Sequence, residues 1–521
     1  MKRFLALLLA AVMVISFAAC KGGNADVSEA GTPEAGKALP ADAVLNVVTV
    51  SHSSWPYQEN WEVWKCIKES VGGTVNVNAY PESDFATKFQ LLMASPDSLP
   101  DVFSFQNTPT GMPGYCEQGA FLSMDDNLDK LPNYKKFWDS ASEEVRKKTI
   151  DTRRYSDGKV YVSPATGMER QINIQGWLYR KDIFDKNNIK VPETMDELYT
   201  ACKQLKKIYP NSYPFCIRSI LSRINLIGSS WKPYFCYNAY YDYNADKWCY
   251  GAGEDTMYEI VSFLRKMYDE GLVAPDYANI STNSWQELIT TDRGFIFPDY
   301  QTRIDFFNPI ARKNNPEFTL TAMKPPKANT PTGTHLTGKD NYDPQGFSVC
   351  NTGKQASIIN AFRYVDWFYS DEGCEITSWG KEGVTYENTD KGRRYIVSGS
   401  DTPKTLYGFG TIGSYLRVDP TVADVMVSDE QSATTDLLLD SQVEYYNPLR
   451  WAKFSQEDND KIADLSTSIT TYAEENIVKF ISGQKPLSDW ESYKAGLSKL
   501  PVDELLKAYE EAYNKITKNT K

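Results

Sequence analysis

Leu45-Asn46-Val47-Val48-Thr49-Val50, Thr74-Val75-Asn76-Val77-Asn78-Ala79 and Val102-Phe103-Ser104-Phe105 are short runs rich in β-branched and aromatic residues. The first gap between them holds a polar and aromatic loop, Ser51 to Asn60, and a helix through about Val71. In the second gap a helix beginning at Asp84 sets Phe85, Phe89, Leu92 and Met93 on one face. Residues three or four apart share a helix face, whereas strand side chains alternate, so the two periods separate the elements. Strand, helix, strand, helix, strand predicts a parallel sheet with helices on both faces. Ligands of such sheets sit beyond the carboxyl ends of the strands, which here are the loops Ser51–Tyr57 and Gln106–Thr110.

The alternating α/β theme continues along the chain. Val160–Pro164 and Ile172–Tyr179 read as strands, and Thr194–Tyr209 as a helix with Leu198, Ala201, Cys202 and Leu205 inward. Met257–Gly271 reads as an amphipathic helix closed by its C-terminal glycine. Lys461–Lys518 is helical, with breaks at Gly483–Pro486 and Pro501. A chain of 521 residues, 41% hydrophobic, outgrows one small domain and predicts two lobes. Its 33 Tyr, 23 Phe and 12 Trp are core or binding material, which excludes general disorder. A net charge of -12 argues against nucleic acid as a partner. Two histidines, His52 and His335, are too few for a three-His zinc site.

The start of the chain reads as a targeting segment. Lys2 and Arg3 precede an apolar run from Phe4 to Ala19, broken only by Ser16, which predicts a signal peptide over residues 1–19. The run is shorter than the ~18 apolar residues of a spanning helix. Phe17-Ala18-Ala19-Cys20 resembles the lipobox of bacterial lipoproteins, which implies a diacylglyceryl group on Cys20 at a mature N-terminus. Two acyl chains suffice for stable anchoring. Ordinary cleavage beside an incidental cysteine is the alternative. Lys21–Asp42, rich in Gly, Ala, Pro and Glu with no aromatic residue, reads with Cys20 as a flexible tether over residues 20–42. Eight further cysteines (Cys66, Cys116, Cys202, Cys216, Cys236, Cys249, Cys350 and Cys374) form no CxxC pair. They read mostly as small buried residues, with room for one or two disulfides in an exported protein.

Several stretches together resemble family 1 extracellular solute-binding proteins, the lipid-anchored receptors of ABC sugar importers. They are Lys88-Phe89-Gln90-Leu91-Leu92-Met93-Ala94-Ser95 with Leu99-Pro100-Asp101-Val102, then Gly176-Trp177-Leu178-Tyr179-Arg180-Lys181-Asp182 and Pro192-Glu193-Thr194-Met195-Asp196-Glu197-Leu198. Gly294-Phe295-Ile296-Phe297-Pro298-Asp299, Trp367-Phe368-Tyr369-Ser370-Asp371-Glu372-Gly373 and Gly380-Lys381-Glu382-Gly383-Val384-Thr385-Tyr386-Glu387 follow in the family's order. The resemblance implies a type II periplasmic-binding-protein-like clamp: two α/β lobes, joined by crossover strands, that close on a ligand. The first lobe is expected over 43–165 plus about 350–385, the second over about 166–349 plus 386–521. Some larger members, similar to alginate-binding receptors, carry a calcium loop after the first helix of the second lobe. Here that stretch is Lys206-Lys207-Ile208-Tyr209-Pro210-Asn211-Ser212-Tyr213-Pro214, without the alternating carboxylates a hard cation needs. No metal and no cofactor is expected.

Sugars offer flat apolar ring faces and many hydroxyls, so a sugar cleft wants aromatic platforms with carboxylates, amides and guanidiniums. Trp55 and Tyr57 stand at the end of the first strand as candidate platforms, against the alternative of local packing. The resemblance places Glu169, Arg170 and Asn173 on a crossover entering the cleft, and Asp299, Tyr300 and Arg303 where members present a stacking aromatic. Trp231, Trp379 and Trp451 complete the candidates, whereas Trp177, Trp367 and Phe368 read as core. Tyr240-Tyr241-Asp242-Tyr243 reads as a surface hairpin, and Arg146-Lys147-Lys148 as a solvated helix face. No GxSxG, HExxH, P-loop or GxGxxG pattern occurs, so no catalytic signature is present. The resemblance, with the lipobox, implies a non-enzymatic receptor, monomeric, on the outer face of the membrane, that delivers a carbohydrate to ABC permease subunits. A peptide-binding or sensor-coupled receptor and a secreted glycosidase or lyase are the alternatives.

Overall fold

A computed structural model describes residues 30–168, 174–242, 245–339, 343–390, 392–398, 401–444 and 453–519. The expected signal peptide and Cys20 lie outside them.

The three strands expected near the N-terminus form the parallel part of the first sheet. Val44–Ser51 lies between Thr74–Pro81 and Val102–Phe105, with Val47 level with both Val77 and Val102. Gly346–Cys350 returns from far along the chain to pair antiparallel with Val102–Phe105, Phe121–Leu122 and Ser163–Pro164. Strand alternation feeds two cores. Leu45, Val47 and Val102 face Trp64, Ile67 and Phe362 on one side, while Val48, Val50, Phe103 and Phe105 face Phe85 and Phe89 on the other. Helices Glu62–Val71 and Gln355–Trp367 therefore cover one face and Phe85–Met93 the opposite one.

The second lobe is built on Gln175–Arg180, which pairs with Ile296–Tyr300 and Leu320–Met323, antiparallel on both sides. Trp177 and Tyr179 enter one core and Ile174 and Leu178 the other, the same period-two logic. Arg180 is fully buried; it pairs with Asp182 and Asp292, each at 2.7 Å, and lies 3.8 Å over the Phe318 ring. The Tyr179–Asp182 motif thus locks the sheet to the helix Lys181–Lys186. Helices Gln456–Ser482, Trp490–Leu497 and Val502–Asn519 complete this lobe, and the long one ends at Gly483, whose φ of 76° a side chain would strain. The helices expected around Thr194 and Met257 run over Met195–Ile208 and Asp255–Asp269.

The lobe boundaries differ from expectation at both ends. The tether does not extend to Asp42: Ala30 and Leu39 are buried, and the N–H groups of Ala38 and Leu39 donate to the Val71 carbonyl at 3.0 and 2.9 Å. That carbonyl ends a helix and lacks an intrahelical partner, so a low-complexity segment with one leucine docks there. Arg363 adds hydrogen bonds to the Ala30 and Gly31 carbonyls. Nor does the second lobe resume at residue 386. Tyr386, Tyr395, Phe409, Tyr415, Val418 and Met426 are buried in the first lobe's core, because the hairpin of Tyr386–Thr389 and Gly392–Tyr395 stacks Tyr395 on Trp379. The chain changes lobe after Met168, between Ala328 and Phe347, and after Met426. At the first crossing Thr166 donates to the Leu416 carbonyl, and Gly167 adopts a φ of 101° where a Cβ would lie 2.2 Å from the Val418 carbonyl oxygen.

Trp177, Trp367 and Phe368 are buried, and Arg146 and Lys147 lie on an exposed helix face. Ala239–Asp242 and Lys247–Tyr250 form the expected hairpin, with Asp246 and Lys247 exposed at its turn, but Tyr240 is fully buried, its hydroxyl donating to Glu254 and accepting from Lys232. The eight described cysteines are free thiols. Among the described residues no helix is long and apolar enough to cross a membrane.

Candidate ligand-binding cleft

The loop after the first strand is folded back by its own hydrogen bonds. Tyr57 N–H donates to Ser51 Oγ and Ser54 N–H to His52 Nδ1, both at 3.0 Å. The His52 proton therefore sits on Nε2, and the imidazole lies 4.9 Å from the half-buried Trp55 ring. Lys404, from the short helix Pro403–Tyr407, places Nζ 4.9 Å over the same indole. Burial holds the His52 imidazole below its ordinary pKa; Glu82 pulls it up, and Lys404, Arg303 and Arg218 push it down. Two of those cations belong to the second lobe, so the wall around His52 and Trp55 faces the second-lobe cluster around Asp299.

Asp299 organises that cluster. It lies in the strand Ile296–Tyr300 and is fully buried. Arg303 Nε donates to Oδ1 and Arg218 Nε to Oδ2, each at 3.1 Å; Tyr300 N–H donates to Oδ1 at 2.8 Å, and Arg223 Nε lies 3.4 Å from Oδ2. Burial alone would raise this carboxyl; Arg223, Arg303 and Arg218 outweigh it and hold it below the usual carboxylate range. The guanidiniums are splinted by aromatic rings. Arg218 and Arg303 each lie 5.5 Å from the Trp285 centroid and Arg223 lies 5.1 Å from that of Tyr300. Trp285 is fixed in turn by its Nε1–H bond to the Cys216 carbonyl, 3.1 Å. Ser219, a non-glycine residue with a φ of 55°, turns the chain from Arg218 into the helix Ile220–Gly228 that carries Arg223. Local strain of this kind, of order 1–3 kcal/mol, persists only where surrounding contacts over-determine it.

Of the residues singled out from sequence, the fold brings Trp55, Asp299, Tyr300 and Arg303 to this region. Asp299 is not an open ligand contact, since its carboxylate oxygens are taken up by three arginines and a backbone N–H. Tyr57 turns away: its ring meets Trp64 edge-on at 5.5 Å, and burial, with Glu59, pushes its buried hydroxyl up to about 12. Trp231 is core, packed edge-on against Phe263 at 5.6 Å. Trp379 is also core, 5.2 Å from Tyr395 with its Nε1–H on Asp419, because aromatic side chains in a chain this size fill the interior first. Glu169, Arg170, Asn173 and Trp451 lie outside the described residues.

Sequence reasoning missed His52, Arg218, Arg223 and Lys404. Arg223 had a legible signal, a lone cation in the apolar stripe of Ile220, Ile224 and Ile227, which demands a buried counter-charge. Arg218 had a weaker one, directly after the buried run Phe215-Cys216-Ile217. In the stretch compared with a calcium loop, Lys206 Nζ donates to the Ser212 carbonyl at 2.7 Å and lies 5.1 Å over Tyr213, so the turn holds an ammonium of the chain itself.

Comparison with known proteins agrees with this architecture. A family model described as bacterial extracellular solute-binding protein matches residues 63–381. The fructooligosaccharide ABC transporter substrate-binding protein FusA of Streptococcus pneumoniae serotype 4 is 22% identical over 511 residues, covering 92% of each chain. The polygalacturonan/rhamnogalacturonan-binding protein YtcQ of Bacillus subtilis is 23% identical over 290 residues, 54% of this chain and 53% of its own. Among solved structures, an alginate-binding protein without calcium ion superposes with a TM-score of 0.72 at 21% identity, covering 92% of this chain and all of the other. With a model match spanning more than half its length and a two-lobed α/β fold to carry it, the chain belongs to the bacterial extracellular solute-binding proteins.

Proposed function

We propose that this protein captures an oligosaccharide between its lobes and delivers it to the permease subunits of an ABC transporter. The observation that carries the reading is the pair of facing walls: Trp55, His52 and Lys404 on the first lobe, and Tyr300 with Arg218, Arg223 and Arg303 on the second. Indole and phenol rings suit the apolar faces of pyranose or furanose rings, and guanidinium and ammonium groups donate to hydroxyl and ring oxygens. The named relatives bind fructooligosaccharide and polygalacturonan or rhamnogalacturonan, which supports a saccharide over a peptide. The protein acts as a monomeric receptor rather than an enzyme, held on the outer face of the cytoplasmic membrane by a lipid on Cys20. A ligand touching both walls stabilises the closed arrangement over the open one and so drives closure.

The test is a panel of oligosaccharides, read by thermal shift and by chromatography of the sugars afterwards. Saturable stabilisation with the sugar recovered intact is expected. Turnover would make the protein a glycosidase or lyase, and stabilisation by peptides alone would refute the saccharide reading.

A further inference from the structure

The second-lobe wall is over-supplied with positive charge. Among the described residues, three guanidiniums surround one carboxylate, leaving two positive charges in excess there, in a protein whose net charge is -12. Arg223 and Arg303 are themselves deeply buried, with 7% and 9% of their side chains exposed, and Arg218 is 24% exposed. Buried cations without counter-charge are costly, and evolution or chemistry must compensate them. Asp299 takes up only the Nε side of this trio: Nε of Arg218 and of Arg303 donate to it. The buried Nε of Arg223 makes no hydrogen bond, and no described residue accepts one from the Nη atoms of the three side chains. Three guanidinium forks are thus fixed at their inner edge, braced by Trp285 and Tyr300, with no described residue accepting at their outer edges.

A neutral sugar hydroxyl accepts a hydrogen bond without neutralising any of this charge. A carboxylate does both, and its two oxygens match the planar fork bidentately. Across the cleft, Lys404 adds a further cation that Asp305 and Asp343 partly offset, and Glu82 lies on the first-lobe side by Ser53 and His52. The only carboxylate oxygens within ion-pair reach of the trio among the described residues are those of Asp299.

We infer that the saccharide bound here is acidic, an oligouronate, and that Arg218, Arg223 and Arg303 receive one of its ring carboxylates through their outer N–H groups while Trp55 and Tyr300 take the ring faces. The inference rests on the saccharide reading above and deepens it: Asp299 is a positioning residue that aims the guanidiniums, and the ligand supplies the missing anion.

The test titrates the mature protein calorimetrically with trimers of galacturonate, of mannuronate and of glucuronate-containing sugar, each beside its carboxyl-reduced counterpart, at low and high salt. At least one acid trimer is expected to bind ten times or more tighter than its reduced partner, with the advantage shrinking as salt rises. Arg218→Gln should lower affinity for that acid trimer about 10- to 100-fold, the range of a charge-assisted hydrogen bond. Arg218→Lys, which keeps the charge but not the fork, should recover only part of the loss. Equal binding of acid and reduced trimers, or a preference that survives Arg218→Gln, overturns the inference and leaves a receptor for neutral sugar. Binding of sulfated but not carboxylated trimers also overturns it. If kestose or another neutral sugar binds and no uronate does, the inference alone falls; if no saccharide of either kind binds, the saccharide reading falls with it.

Discussion

Asp299→Asn is the most informative single substitution in this protein. The side chain keeps its shape and one carbonyl acceptor but loses the charge that holds Arg218, Arg223 and Arg303 at 3.1, 3.4 and 3.1 Å. Removing one partner of a buried ion pair typically costs about 3–5 kcal/mol, because the remaining charge is left uncompensated. At about 2–4 °C per kcal/mol for a lobe-sized unit, the melting temperature at pH 7 should fall by roughly 6–20 °C. The pH dependence has a definite sign. The Asp299 carboxyl is held below its ordinary value, so its stabilisation is fully present above the unfolded-state pKa of about 3.9 and is lost as pH falls through the folded value. The stability gap between wild type and Asp299→Asn should therefore hold down to about pH 4 and narrow progressively below it, closing only under the folded-state value. Adding Arg223→Gln to Asp299→Asn should recover part of the loss, since it removes one of three repelling cations. Scanning calorimetry between pH 3 and 8 reads all of this. A variant that melts within about 2 °C of wild type at pH 7, or a double variant worse than the sum of the singles, would refute the hub.

Three further outcomes follow from the same structure. Trp55→Ala, which removes a half-buried indole between His52 and Lys404, should weaken saccharide binding about tenfold with the fold intact; calorimetry with the cognate sugar checks it. Cys20→Ala should release the protein from the membrane fraction or leave the precursor uncleaved, and a mutant that stays in membranes at mature size contradicts the anchor. Chelator treatment should leave the melting temperature within about 1–2 °C, because the turn at Lys206–Ser212 is held by an ammonium rather than by a ring of carboxylates; a large drop would reveal an ion site.

Much of the fold was legible because period alone fixes it. Leu45, Val47, Val48 and Val50 alternate between two cores as the pattern demanded, and the helices after Thr194, Met257 and Lys461 lie within a few residues of their expected bounds. What escaped was non-local. Leu39 gives no periodic signal, yet it docks on a helix end, and Tyr386–Met426 joins the first lobe through an aromatic stack with Trp379 that no spacing announces. The cleft was half legible for the same reason. Trp55 and Tyr300 could be placed by strand ends and family pattern, but Tyr57 and Trp379 share their composition and turn into the core. Whether an aromatic faces ligand or interior depends on residues hundreds of positions away. Arg218 and Arg223 were passed over because a guanidinium reads as surface until its buried carboxylate, 81 residues from Arg218, is known.

The central claim is capture by closure of two lobes on a saccharide, and small-angle scattering during a titration with the cognate oligosaccharide tests it most directly. The radius of gyration should fall saturably as the site fills, at the same stoichiometry as the calorimetric binding, and should not fall with a sugar that does not bind. A sugar that binds tightly and leaves the radius of gyration unchanged would contradict the account.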